Sequence, residues 1–80
     1  MKNKKAVALR YDSSKPAPFI TAKGNGHSAE KILEIAAKNG ITVVRDDDLS
    51  ASLYTLNVGD FITEEYYEIV AEILAFILKV

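Results

Sequence analysis

The sequence contains no cysteine and a single histidine, His27, among its 80 residues. Without thiols there is no disulfide staple, no thiolate nucleophile and no cysteine-based zinc site. A metal centre would have to be assembled mostly from carboxylates around that one imidazole. An excess of either charge is lacking too. Ten Lys and Arg face eleven Asp and Glu, a net charge of −1, which gives no electrostatic reason to expect nucleic acid as a partner. Long hydrophobic runs are also missing. The most apolar stretch, Ile69 to Val80, is interrupted by Glu72 and Lys79 and falls short of the roughly 20 residues a bilayer-spanning helix needs. The basic start Met1-Lys2-Asn3-Lys4-Lys5 leads into an apolar stretch that stops at Arg10, too short for a secretory h-region. The expected location is the cytoplasm, with no membrane span.

What is present suits a folded domain. An apolar fraction of 49% is enough to build one core, so residues 1–80 are expected to form one domain, near the lower end of the size a single core can hold. Ala6-Val7-Ala8-Leu9 is a short apolar run bounded by charge, the pattern of a buried strand. Tyr11 to Pro16 supplies turn residues, with Pro16 and Pro18 favouring extended backbone, and Phe19-Ile20-Thr21-Ala22 is a second strand. A helix follows from about Ser28 to Asn39. Its Ala29, Ile32, Leu33 and Ala36 make one apolar stripe, and Gly40 occupies the C′ position that favours a left-handed residue. Ile41-Thr42-Val43-Val44 is β-branched and reads as a third strand.

Asp46, Asp47 and Asp48 then offer an acidic cap to a short helix carrying Leu49, Leu53 and Leu56 on one face. After the loop Asn57-Val58-Gly59-Asp60, Thr63 is expected to cap a last helix with Glu64 and Glu65 in its first turn. Tyr66, Ile69, Val70, Ile73, Leu74 and Ile77 would be its buried side. The expected fold class is α/β: a small mixed β-sheet of about three strands, order β-β-α-β-α-α, covered by helices. Strand one should run antiparallel to its neighbour, and strands two and three should be joined by a right-handed parallel crossover.

Candidate chemistry is sparse. Lys23-Gly24-Asn25-Gly26-His27-Ser28 lies between a strand and a helix, where a phosphate or nucleotide ligand could meet free N–H groups and the helix dipole. It lacks the third glycine of a dinucleotide loop and the Gly-Lys-Ser/Thr of a P-loop, so a plain connecting turn explains it as well. The three aspartates lack the alternating spacing and distant glutamate of a calcium loop. Spacing indicates no Ser/Asp or Cys partner for His27 as a general base, and a turn or cap histidine is the plainer reading. No cofactor, no metal and no catalytic residue is expected, and the composition points to a binding domain rather than an enzyme.

Three stretches together carry a family resemblance. Ala6-Val7-Ala8-Leu9-Arg10-Tyr11-Asp12, then Ala17-Pro18 through Ala22-Lys23-Gly24, then Leu53-Tyr54 with Val58-Gly59-Asp60-Phe61-Ile62 and Glu64 to Ala75, are nearly collinear with the cytoplasmic C-terminal domain of the FlhB/YscU family of flagellar and type III export-gate switch proteins. Members of that family cleave themselves at Asn-Pro-Thr-His just before the first of these strands. The positions that align with the motif here are Met1, Lys2, Asn3 and Lys4, and no Asn-Pro occurs, so the resemblance does not carry self-cleavage over. It implies a stand-alone counterpart of the post-cleavage fragment, whose first strand lacks the neighbour it has in the family.

The resemblance also implies a docking surface for export substrates at Ala17, Pro18, Ser50 and Leu53. Ser50 stands where the family has alanine, and Asp47-Asp48 where it has Pro-Pro. The implied partners are export substrates and export-apparatus proteins, including a full-length or truncated FlhB-type gate protein, met at the membrane-embedded apparatus.

Overall fold

The computed structural model describes residues 4–78; the aligned positions Met1 to Asn3 lie outside the described residues. Two strands, β1 (Lys5–Arg10) and β2 (Phe19–Asn25), pair antiparallel. They are followed by α1 (His27–Lys38), α2 (Asp47–Leu53), a 3₁₀ turn (Glu64–Tyr66) and α3 (Tyr67–Leu78). The class is α/β, as expected.

A bulge sets which side chains meet. Ala8 pairs with Ala22 and Leu9 with Ile20, leaving Thr21 as the extra residue. Its hydroxyl donates to the Ala8 carbonyl at 3.3 Å. Paired residues share a sheet face and consecutive residues alternate, so the extra residue moves Ile20 to the face opposite Ala22. One face then carries Ala6, Ala8, Ala22 and Gly24, small enough for α1 to approach closely through its buried Ala29 and Ala36. A Cβ on Gly24 would sit 2.7 Å from the backbone carbon of Ser28, so this position requires glycine. The other face carries Val7, Leu9 and Ile20. There Ile20 is fully buried against Ala17, Leu53, Ile62 and Val70.

The local signals act largely as the sequence suggested. Asp46 caps α2, its carboxylate accepting from the Leu49 N–H at 3.0 Å. Gly40 takes a positive φ of 68° just past α1. Two elements differ from expectation. Thr63 makes no side-chain cap; its carbonyl accepts from Tyr66 N–H at 2.9 Å, and a 3₁₀ turn precedes α3, in which Ile69 lies outside the buried face.

The run Ile41-Thr42-Val43-Val44 is not a strand, so among the described residues the sheet has two strands rather than three and there is no parallel crossover. Its β-branched residues favour extended backbone, but a strand also needs a ladder partner, and this run faces β1 across an open cleft instead. Ile41, Val43 and Val44 are correspondingly exposed.

Candidate functional site

The segment between the strands is held by a tight turn. The Asp12 carboxylate accepts from the Ser14 N–H at 3.0 Å and from its hydroxyl at 2.8 Å, while the Asp12 carbonyl accepts from Lys15 N–H at 2.8 Å. Those bonds to Ser14, the backbone one first, hold the Asp12 carboxyl below the usual aspartate range, helped by the nearby Lys15 and Arg10 charges. The turn delivers Pro16-Ala17-Pro18, with Ala17 buried in the core and Pro18 half-buried.

Loop 59–62 is tied alongside. Ile62 N–H donates to the Pro18 carbonyl at 2.9 Å, Ile20 N–H to Asp60 at 2.9 Å, and Gly59 N–H to Ile20 at 2.8 Å. Phe19 and Phe61 meet edge to face at 6.2 Å. The resulting groove, about 370 Å³, is lined by Tyr11, Pro16, Ala17, Pro18 and Ile62 on one side and by Tyr67, Ala71 and Leu74 of α3 on the other. Apart from the two tyrosines it presents no titratable side chain, so it offers apolar shape and no acid–base chemistry.

Two of the four residues carried over by resemblance, Ala17 and Pro18, line this groove. Leu53 belongs to the same core cluster as Ala17, but both it and the half-buried Ser50 line a larger cleft beside β1. The α3 wall is not among the residues the resemblance implies. Its signal was present in the sequence, because Tyr67, Ala71 and Leu74 fall at i, i+4 and i+7 on one helical face.

The glycine turn is organised for a different purpose than anion binding. Gly24 lies within β2, and Gly26 N–H donates to the Lys4 carbonyl at 2.7 Å. Lys23, the cation such a loop would need, donates to the carbonyls of Tyr54 at 2.9 Å and Leu56 at 2.8 Å. His27 is fully exposed, 3.7 Å from Glu30. These groups therefore do not converge on a phosphate or nucleotide. Among the described residues no three His, Asp or Glu side chains gather as metal ligands, and no helix is long and apolar enough to cross a membrane.

Residues 3–77 match the model of the FlhB HrpN YscU SpaS family. The chain belongs to that family. Among its relatives is protein YlqH of Bacillus subtilis, 46% identical over 77 residues that make up 95% of this chain and 83% of YlqH. The flagellar biosynthetic protein FlhB of Aquifex aeolicus is 44% identical over 91% of this chain, but the chain spans only 21% of that protein. Among solved structures, a mutated EscU C-terminal domain superposes with a TM-score of 0.88 at 31% identity, covering 99% of this chain and 100% of that one. The PscU C-terminal domain gives 0.85 at 28% identity, covering 91% and 95%. The α/β fold is therefore that of the C-terminal domain of the export-gate switch proteins.

Proposed function

We propose that this chain is a stand-alone, non-cleaving counterpart of the family's C-terminal domain, a protein-binding component or regulator of flagellar or type III export. It acts in the cytoplasm, at the membrane-embedded apparatus, on export substrates and on the gate protein. The carrying observation is the apolar groove formed by Ala17, Pro18 and Ile62 against Tyr67, Ala71 and Leu74, whose size and lining suit a short apolar peptide segment. The absence of Asn-Pro from the sequence supports the non-cleaving part of the reading.

The test is titration of the labelled protein with N-terminal peptides of the host's export substrates, followed by backbone amide shifts. Shifts should centre on residues 16–18, 62, 67 and 71. Ala71→Glu, on the exposed rim, should weaken binding by roughly tenfold or more while leaving the fold intact. Binding that ignores this substitution, or shifts elsewhere, would remove the groove from the proposal.

A further inference from the structure

Glycine follows asparagine twice in the sequence, at Asn25-Gly26 and at Asn39-Gly40. In that dipeptide the glycine amide nitrogen can attack the asparagine Cγ, because no Cβ hinders its approach. Both asparagines are exposed, and both glycines take a positive φ, 64° at Gly26 and 68° at Gly40. Beyond its chain neighbours, neither glycine has an atom within 4 Å of where a Cβ would stand. The two sites therefore match in sequence and in local room. They differ in what holds the attacking nitrogen.

At Asn25-Gly26 the sheet holds it. Asn25 ends β2 and pairs with Lys5, and Gly26 N–H donates to the Lys4 carbonyl at 2.7 Å. The Gly26 carbonyl accepts from Glu30 N–H at 3.1 Å, which ties the same residue into α1. To attack, the nitrogen must lose its proton and turn toward Asn25 Cγ, so the end of the β1–β2 ladder has to open first. At Asn39-Gly40 only a helix end holds it. Gly40 N–H reaches the Ala37 carbonyl at 3.4 Å, beyond the usual range of such a bond. The Asn39 side chain donates to the Ile35 carbonyl at 2.8 Å, and Ile41 N–H donates to Ala36 at 2.9 Å. Every one of these acceptors belongs to the last turn of α1. Fraying of that single turn frees the nitrogen and the side-chain amide together.

We propose that Asn39 is a spontaneous modification site, converting through a cyclic imide to aspartate and isoaspartate while Asn25 in the same chain is spared. The Gly40 nitrogen, its proton taken by hydroxide, bonds to Asn39 Cγ. The Cγ–Nδ2 bond breaks, and the side-chain nitrogen takes a proton from water and leaves as ammonia. Water then opens the imide: cleavage between Cγ and the nitrogen gives aspartate, and cleavage at the main-chain carbonyl gives isoaspartate. Water is the only co-reactant, and nothing is oxidised or reduced. Either product replaces a donor by a carboxylate at the negative end of α1, so the bond to Ile35 is lost and the last turn loosens. The site lies outside the groove of Ala17 and Pro18 and needs no partner, so it stands or falls apart from the docking reading.

The test incubates the whole folded protein in mildly alkaline buffer and then cuts it at lysine and arginine. Asn25 and Asn39 fall on separate peptides, 24–31 and 39–45, whose masses report amide-to-acid exchange. Enzymatic methylation of isoaspartate identifies the second product. Asn39 should convert roughly tenfold or more faster than Asn25, at a rate proportional to hydroxide. In urea-unfolded protein the two rates should come together, since only the fold separates them. Equal rates in the folded protein, faster conversion of Asn25, or an intact Asn39 after the unfolded chain has fully converted overturns the proposal. So does a rate ratio that survives unfolding, because neighbouring residues would then set the preference. Asn39→Asp supplies one product directly, and its Gly40 and Ile41 amides should exchange about threefold or more faster than in the unmodified protein. Unchanged exchange there would overturn the loosening of α1.

Discussion

The Lys23 ammonium lies 4.8 Å from the centre of the Tyr54 ring and donates to the Tyr54 main-chain carbonyl at 2.9 Å. One cation therefore closes the C-terminal end of α2, where unpaired carbonyls concentrate negative charge, and packs on an aromatic face of the same residue. Lys23 pairs with Val7 across the ladder, so it projects from the sheet face that carries the core. The contact fixes α2 against the sheet.

Lys23→Met retains the stem but leaves the carbonyls of Tyr54 and Leu56 without their donor. It should lower stability by about 1.5–3 kcal/mol, the range for hydrogen bonds to a charged group. Urea unfolding measures this, and a loss below half a kcal/mol (roughly the scatter of a surface change) would show the contact to be incidental.

Gly24 and Gly40 should fail for different reasons when changed to alanine. At Gly24 the new methyl meets Ser28 backbone atoms at 2.7 and 2.8 Å, so α1 must move off the sheet, an overpacking cost of about 1–3 kcal/mol. At Gly40 nothing lies within 4 Å, and only the positive φ is penalised, by about 1–2 kcal/mol. The difference is readable in spectra: shifts should spread across α1 and β2 for Gly24→Ala and stay near residue 40 for Gly40→Ala.

Neighbouring positions on α3 separate core from surface. Val70 is 1% exposed and Ile69 is 39% exposed. Truncation of Val70 to alanine should destabilise by about 1–3 kcal/mol through lost burial and a residual cavity, whereas Ile69→Ala should stay within about 0.5 kcal/mol. Equal losses would mean that α3 is rotated from the orientation described.

Asp12 provides a pH signature. Its folded pKa lies below its unfolded value, so the bond to Ser14 contributes above the unfolded pKa and is lost as pH falls through the folded one. The group is exposed, so the stability effect is small, but its NMR titration midpoint should be depressed. Ser14→Ala removes the hydroxyl donor while the backbone N–H remains, and should raise the midpoint part of the way back. An unchanged midpoint would mean that the hydroxyl contributes nothing.

Much of this architecture was legible because the signals were local. Asp46 before Leu49, the Ala29–Ala36 stripe and Gly40 each act within a turn or two, so spacing alone reports them. The run Ile41–Val44 is not a strand although its residues favour one, because local preference for extended backbone says nothing about whether a neighbouring strand exists. Thr63 had a cap's composition, but the tighter 3₁₀ turn that follows uses its carbonyl instead of its hydroxyl. The Thr21 bulge had no sequence signal, since it depends on the register against β1. At the groove, Ala17 and Pro18 were reached through resemblance. Its far wall has a face legible in the spacing of Tyr67, Ala71 and Leu74, but the position of that face opposite Ile62 is a tertiary relationship that spacing does not encode.

The bulge at Thr21 also makes the register of β2 a matter of odd and even. A regular ladder that kept Thr21 would pair Leu9 with Thr21 and Arg10 with Ile20, turning Ile20 toward α1 into a layer built from alanines and glycine, while deletion of Thr21 would leave Leu9 opposite Ile20 and the core intact. A change of composition at Thr21 is mild by comparison, because the side chain is exposed and its single hydrogen bond is long. In this segment the register against β1, more than the identity of the bulged residue, decides which layer each side chain enters.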